Sequence, residues 1–362
     1  MWTGEINRAK AVIRLPSVDL WNGKLLISGT ASVRSEFAMD HILSDIAVQR
    51  GYAYAACDKA TPGLILRDPT RSMLEWQSAY EALTEKTRQF VIDIYGTTPS
   101  RTYIAGASNG GYVTRVMMEN YDYLFDGGIE WEGVLWHTEK RHLLTTLPVY
   151  ISEYPIYKNW RGNRTKAEQK NAYEKILEAG LPAESEPFWD TYYRRYWVVT
   201  LWLYGRNIDP DWGPFKKDWS NEWLTDPSPI AHYPWHERTD ILKRAIIPIA
   251  NSGKLTKPLL SVAGNLDCLV SFRHHALAYK EVVESSGSSA WHRLYEIAGG
   301  NHVDGLLSID KREQQPVQPY FEAALYHLEE WVEKGKQPPD SGCYSKVKDF
   351  AHDYEPLSFY SE

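Results

Sequence analysis

Apolar side chains return at three- and four-residue steps through Met73, Trp76, Tyr80, Leu83, Thr87, Phe90, Val91 and Ile94, the repeat of a helix with one buried face. Gly96 closes that run, where the chain needs a residue free to turn left-handed. The apolar runs over 11–15, 24–29 and 52–57 are too short for helices, and Asn22-Gly23 marks a turn between the first two, so these predict strands. Ile42, Leu43, Ile46 and Ala47 recur at helical spacing before the third. A strand over 101–105, a helix from 112 and a strand over 127–136 follow. This alternation predicts an α/β fold: a mostly parallel, doubly wound sheet with helices on both faces.

Residues 137–255 break the alternation. Helical patterns over 166–179 and 187–204 succeed one another there without strands between them. The chain has 15 Trp and 24 Tyr, and many crowd into this stretch, among them Trp160, Trp189, Tyr192, Trp197, Trp202 and Tyr204. It reads as an inserted helical cap. The sheet pattern resumes over 258–263, with a helix over 272–285, a strand over 293–297 and a final helix over 319–334. The division expected is therefore a core of 1–136 and 256–340, a cap of 137–255 and a tail of 341–362. Pro338-Pro339 and weak periodicity beyond them predict a surface-laid or mobile tail.

The 362 residues suffice for one large domain with an insertion. A net charge of −7 without a lysine/arginine stripe argues against nucleic acid and anionic membrane surfaces as partners. No apolar run approaches the ~18 residues of a membrane-spanning helix. The first residues lack a basic segment followed by an apolar one, so either a cytosolic protein or one whose leader is already removed is expected. Cys57, Cys268 and Cys343 are too few and scattered for a disulfide framework or zinc site, though one pair remains possible. No phosphate-binding loop, His-Glu-x-x-His or dinucleotide fingerprint occurs. Neither cofactor nor metal is implied.

Chemistry concentrates at Gly106-Ala107-Ser108-Asn109-Gly110, between a strand and a helix. A serine there sits on so sharp a turn that side chains two positions to either side would collide, and glycine removes the collision. The hydroxyl is lifted clear of the sheet, with the first helical N–H groups aimed at whatever binds. A serine hydroxyl needs a base, and the base an acid that orients it. His302 follows the last sheet strand in Gly299-Gly300-Asn301-His302 and is the base candidate. Its rivals are His137, His232, His236, His274 and His275. Asp267, in Gly264-Asn265-Leu266-Asp267, is the acid candidate, or else a helix cap. Glu130 and Glu132 flank Trp131 on an apolar strand, where charges need a reason. Glu132 would replace Asp267, or the two acids would bind a substrate hydroxyl or the insertion, with Trp131 beside them at the substrate. The N–H of Asn109 is expected to stabilise an oxyanion, with that of Thr30 as second donor and Gly29 or Ala31 as alternatives.

Gly106-x-Ser108-x-Gly110, Gly264-x-x-Asp267 and Gly300-x-His302, in this order, resemble the α/β-hydrolase superfamily over about residues 10–335. The resemblance implies a serine hydrolase acting through an acyl-enzyme, here on carboxylic esters with apolar or aromatic parts held under the cap. A small-molecule ester is thus the partner expected. A peptidase, lactonase or acyltransferase would use the same residues, and an inactive binding protein would keep only the fold. The stretch from Ala323 to Pro339 is similar to the end of the tannase and feruloyl esterase group. That group carries a cysteine before the serine and another after the histidine, joined by a disulfide. Ala107 and Val303 occupy those positions, so specificity for phenolic esters does not carry over.

Overall fold

The structure is a computed structural model and describes residues 1–32, 34–61, 73–308, 314–351 and 354. Its sheet has nine strands: β1 (Trp2–Ile6), β2 (Ala9–Arg14), β3 (Lys24–Gly29), β4 (Ala53–Cys57), β5 (Arg101–Ala107), β6 (Gly127–Trp131), β7 (Leu259–Gly264), β8 (His292–Ile297) and β9 (Gly342–Tyr344). Their spatial order is β1-β2-β4-β3-β5-β6-β7-β8-β9. Pairing is antiparallel between β1 and β2 and between β2 and β4, and parallel through the rest.

Side-chain alternation along the central strands produces the layers. Leu25, Ile27 and Ile104 point to one face and pack with Trp76, Tyr80, Val113 and Val116 from the helices Leu74–Tyr95 and Asn109–Asn120. Leu26, Tyr103 and Ile129 point to the other and meet Phe321, Leu325 and Leu328 of the helix Gln318–Lys334. The mostly parallel, doubly wound sheet expected from the sequence is present.

Between β6 and β7 the chain is helical. Leu143–Tyr157 and Lys166–Glu178 pack together, and a longer helical path runs from Trp189–Tyr192 through a π-helical turn at Tyr193–Trp197 into Val198–Ile208. Its aromatic side chains, including Trp189, Trp197 and Trp202, join the same apolar cluster as the sheet face below. Among the described residues no helix is long and apolar enough to cross a membrane.

Four details depart from the sequence reading. β1 pairs with β2 although most of its residues are exposed, so it carries no apolar signal. The helix Leu143–Tyr157, absent from the sequence reading, contains Pro148 and Pro155, residues unfavourable inside a helix, yet burial of Leu144, Leu147, Tyr150 and Ile151 holds it together. The strand expected over 127–136 stops at Trp131, because Glu132 takes φ +50°, outside strand geometry. The tail is in part structured: β9 pairs with β8, and Phe350 is buried against Tyr295 and Tyr320. Its last eight residues lie outside the described part.

One contact sets how closely the layers approach. A Cβ on Gly110 would lie 1.8 Å from the carbonyl oxygen of Gly29, and one on Gly106 would lie 2.5 Å from that of Gly110. Gly110→Ala should therefore push the helix Asn109–Asn120 off the sheet and destabilise the fold by about 1–3 kcal/mol or more, measured as a lower midpoint in thermal or urea unfolding.

Candidate active site

β5 ends at Ala107, and Ser108 takes φ +56° and ψ −115° before the helix begins at Asn109. The strain is held from both sides. Ser108 N–H donates to the Trp131 carbonyl at 2.8 Å, and the Ser108 carbonyl accepts from Tyr112 N–H at 3.0 Å. The hydroxyl stands at the C-terminal edge of the parallel strands, where loops after β7 and β8 bring the other groups.

Those two loops are stitched together. Leu266 N–H donates to the Gly300 carbonyl at 2.8 Å, and Gly299 N–H to Asn265 Oδ1 at 2.9 Å. His302 Nε2 lies 3.1 Å from Ser108 Oγ, and its Nδ1 lies 2.7 Å from Asp267 Oδ2. Asp267 Oδ1 accepts the N–H groups of Leu269 and Val270 at 2.7 and 2.9 Å, so the capping geometry and the contact with His302 coexist. Ser108, His302 and Asp267, far apart in the chain, form one hydrogen-bonded line.

Glu132 joins it. Its Oε1 accepts Gly264 N–H at 2.7 Å, and its Oε2 lies 3.0 Å from His302 Nδ1. Both carboxylates are buried, with Asp267 at 0% and Glu132 at 1% exposure. Burial pushes Glu132 well above the usual carboxylate range, and the neighbouring Asp267 charge adds to it. Burial also pushes Asp267 up, but the charge and hydrogen bond of His302 outweigh it and hold Asp267 below its ordinary value. For His302 burial works downward, and the charge and hydrogen bond of Asp267, with the hydrogen bond of Glu132 beside them, override it and raise the imidazole. Glu132, Asp267 and His302 also offer cation-ligating atoms within 4.8 Å of one another. A metal on Nδ1 would force the imidazole proton onto Nε2, leaving it unable to accept from Ser108. The short Nδ1–Asp267 bond instead suits proton transfer from the serine.

The other expected residues fall as follows. Asn109 N–H, at the start of its helix, has no acceptor among the described residues. Thr30 is corrected: its N–H donates to Tyr80 Oη at 2.8 Å, and that hydroxyl donates onward to the Ser28 carbonyl at 3.0 Å. Gly29 lies within β3, paired with Gly106. Ala31 N–H has no acceptor among the described residues.

Glu130 and Trp131 are corrected as substrate contacts. Glu130 is fully buried beneath the elbow helix, 2.6 Å from Arg115 Nη2, and accepts Gly133 N–H at 2.6 Å. Trp131 packs beneath the sheet against Phe321, with ring centroids 5.7 Å apart. Among the rival histidines, His275 Nδ1 accepts Leu135 N–H at 3.0 Å and His137 accepts from Glu139 N–H at 3.1 Å, while His232 and His236 are exposed. Cys57, Cys268 and Cys343 are free thiols.

Several supporting residues carried no sequence signal of their role. Tyr204 Oη hydrogen-bonds Asn109 Oδ1, Trp197 Nε1 donates to the Cys268 carbonyl at 2.7 Å, and Tyr192 Oη donates to Asn301 Oδ1 at 2.6 Å. Each partner is the chain neighbour of Ser108, Asp267 or His302. The π-helical turn brings Tyr192 and Trp197, five apart, to one face, and Tyr204 lies seven residues further along the α-helix that follows, two turns on. Lys59, fully buried, donates to the Thr30 and Ser32 carbonyls at 2.7 Å each, and burial pulls its ammonium down to about 7. It fixes the loop that presents Ala31. Its position just past β4, at the same sheet edge as Ser108, was the one available clue.

Sheet order, the sharp turn after β5 and the loops after β7 and β8 define the α/β-hydrolase fold, and solved structures agree. Over 91% of this chain and 79% of the other, it superposes on feruloyl esterase B from Aspergillus oryzae with a TM-score of 0.57 at 13% identity. Tannin acyl hydrolase from Aspergillus niger gives 0.53 at 14% identity, covering 91% of this chain and 76% of that one. Acylaminoacyl peptidase from Pyrococcus horikoshii gives 0.50 at 13% identity, covering 95% of this chain and 42% of that one. No family model and no curated protein sequence matches the chain.

Glu130→Ala would strand a buried guanidinium. It should destabilise the protein by about 3–5 kcal/mol, read as a lowered unfolding midpoint with or without substrate.

Proposed function

We propose that this protein is a serine hydrolase that cleaves carboxylic esters through an acyl-enzyme. The observation that carries the reading is the continuous line Ser108 Oγ, His302 Nε2, His302 Nδ1, Asp267 Oδ2, with spans of 3.1 and 2.7 Å. Ser108 attacks the ester carbonyl while Nε2 takes its proton. Asp267 holds the Nδ1 tautomer and stabilises the imidazolium. The N–H groups of Asn109 and Ala31 receive the oxyanion. His302 then passes the proton to the leaving alcohol, and water, deprotonated by the same nitrogen, releases the acid.

Among solved structures sharing the fold, two are named esterases and one an acylaminoacyl peptidase, so esters and amides are the two substrate classes to compare, with esters taken first. The insert, rich in Trp and Tyr, suits an apolar or aromatic substrate part.

A fluorophosphonate should label Ser108, located by peptide mass spectrometry, and Ser108→Ala should lower p-nitrophenyl ester hydrolysis by about 10⁴–10⁶-fold. Absence of label on folded protein overturns the hydrolase reading, and faster cleavage of aminoacyl amides than of esters overturns the ester assignment.

The pH dependence has a defined sign. Attack needs neutral His302, whose proton is held more tightly than at the ordinary value of 6.5. The ester-hydrolysis rate should rise with pH along a limb centred above 6.5 and fall away below it, as measured by kcat/KM from pH 5 to 10 (about the range in which imidazoles titrate).

A further inference from the structure

Glu132 has no place in the three-residue relay, yet it is built into the same spot. It is the first residue beyond β6 and takes φ +50°, a conformation that side chains with a Cβ adopt at a cost. Its backbone is pinned there by its own N–H, which donates to the Val262 carbonyl at 2.9 Å. Its Oε1 is fixed by Gly264 N–H at 2.7 Å. The remaining oxygen, Oε2, is buried without a full hydrogen bond of its own and points at His302 Nδ1 from 3.0 Å. Nδ1 thus faces two carboxyl groups and has one proton to give.

We propose that Glu132 is a second positioning acid for His302, a protonated carboxyl that hydrogen-bonds Asp267 in the resting site and holds Nδ1 from a second side. This inference rests on the serine-hydrolase reading of the same site. Two buried carboxylates this close repel, so one of them keeps a proton. The backbone selects which. Asp267 Oδ1 receives two N–H donors, from Leu269 and Val270, and its Oδ2 receives the shorter Nδ1 contact. Glu132 receives a single N–H donor. The negative charge therefore rests on Asp267 and the proton on Glu132, in agreement with the upward displacement of Glu132 by burial and by the Asp267 charge beside it.

The site then holds a single negative charge opposite the imidazolium that forms during attack. Nδ1 also has a second acceptor in place should Asp267 be lost. In that event Glu132 no longer faces a like charge, ionises beside His302, and takes up the orienting role.

The groups facing Glu132 are Asp267 and Cys268 from the loop after β7, His302 from the loop after β8, and Tyr192 from the insert. Burial pushes both Tyr192 and Cys268 well above their usual values, so they stay neutral. His275, whose surroundings include the Asp267 and Arg115 charges, is buried and driven well below its usual value, so it too is neutral.

The test is the second-order rate of fluorophosphonate labelling at Ser108, followed from pH 5 to 10 (about the imidazole titration range). It compares the wild type, Glu132→Gln, Asp267→Ala and the double variant, and it needs no knowledge of the natural ester. Glu132→Gln should slow labelling by about 3–10-fold without moving the pH limb, and Asp267→Ala by about 10–100-fold. The double variant should lose about 10⁴-fold, more than the product of the two single losses. The limb should stay above 6.5 in Asp267→Ala, where Glu132 has ionised, and drop below it in the double variant, where burial acts alone. A merely structural role for Glu132 would not move that limb. Asp267→Ser replaces Asp267→Ala if near-ultraviolet circular dichroism shows that the alanine variant has lost its tertiary packing.

Equal rates for Asp267→Ala and the double variant across the pH range overturn the proposal and leave the hydrolase reading intact. A limb lowered by Glu132→Gln alone also overturns it, since Glu132 would then have been charged. A folded wild type that takes no label overturns the hydrolase reading and this inference with it.

Discussion

The approach of the Gly110 backbone to the carbonyl of Gly29 is the constraint on which the rest of the structure depends. With a would-be Cβ only 1.8 Å from that oxygen, no other residue fits, and the helix Asn109–Asn120 starts directly against the edge of β3. Ser108 has no relaxed backbone conformation available at that junction and is held at φ +56°. The same closeness puts the end of β3, with Thr30 and Ala31, beside the start of the helix. Two backbone N–H groups from distant parts of the chain, those of Asn109 and Ala31, are left there without acceptors among the described residues. A methyl group at position 110 would separate them as it pushed the layers apart.

The sheet edge also shows how neighbouring acids on one strand acquire different fates. Glu130 is still within β6, so its side chain follows the strand's alternation, runs under the elbow helix and meets Arg115. Two residues later the strand has ended. Glu132 has turned to positive φ and carries its carboxyl toward the loops after β7 and β8 instead. Burial is near complete for both, but one finds a guanidinium and the other finds a carboxylate and an imidazole. An ion pair is the stable outcome in the first case. In the second, mutual repulsion is relieved by a proton.

The helical insert contributes more than cover. Tyr192, Trp197 and Tyr204 reach down from one continuous helical path to Asn301, Cys268 and Asn109. The insert thereby holds the loops carrying His302 and Asp267 and the first turn after Ser108 against a single rigid element. Apolar packing of Trp189, Trp197 and Trp202 with the sheet face supplies that rigidity, since close-packed aromatic side chains leave little room for the helix to slide.

The amino-acid sequence by itself determined the alternation of strands and helices, the turn at Gly106-x-Ser108-x-Gly110 and the order in which serine, acid and histidine occur. These are local matters: period, turn chemistry and spacing are properties of short segments. It put Asp267 first and Glu132 in reserve as the partner of His302, and Thr30 ahead of Gly29 and Ala31 as the second N–H donor, without settling either. It also suggested substrate contacts for Glu130 and Trp131 that the fold directs elsewhere. Only the tertiary structure decided these, because each turns on a partner remote in the chain: Tyr80 occupying the Thr30 N–H, Arg115 claiming Glu130, Gly264 anchoring Glu132. Periodicity records which face a residue shows. It holds no record of what another segment brings to that face, and burial makes that arrival decisive for a polar group.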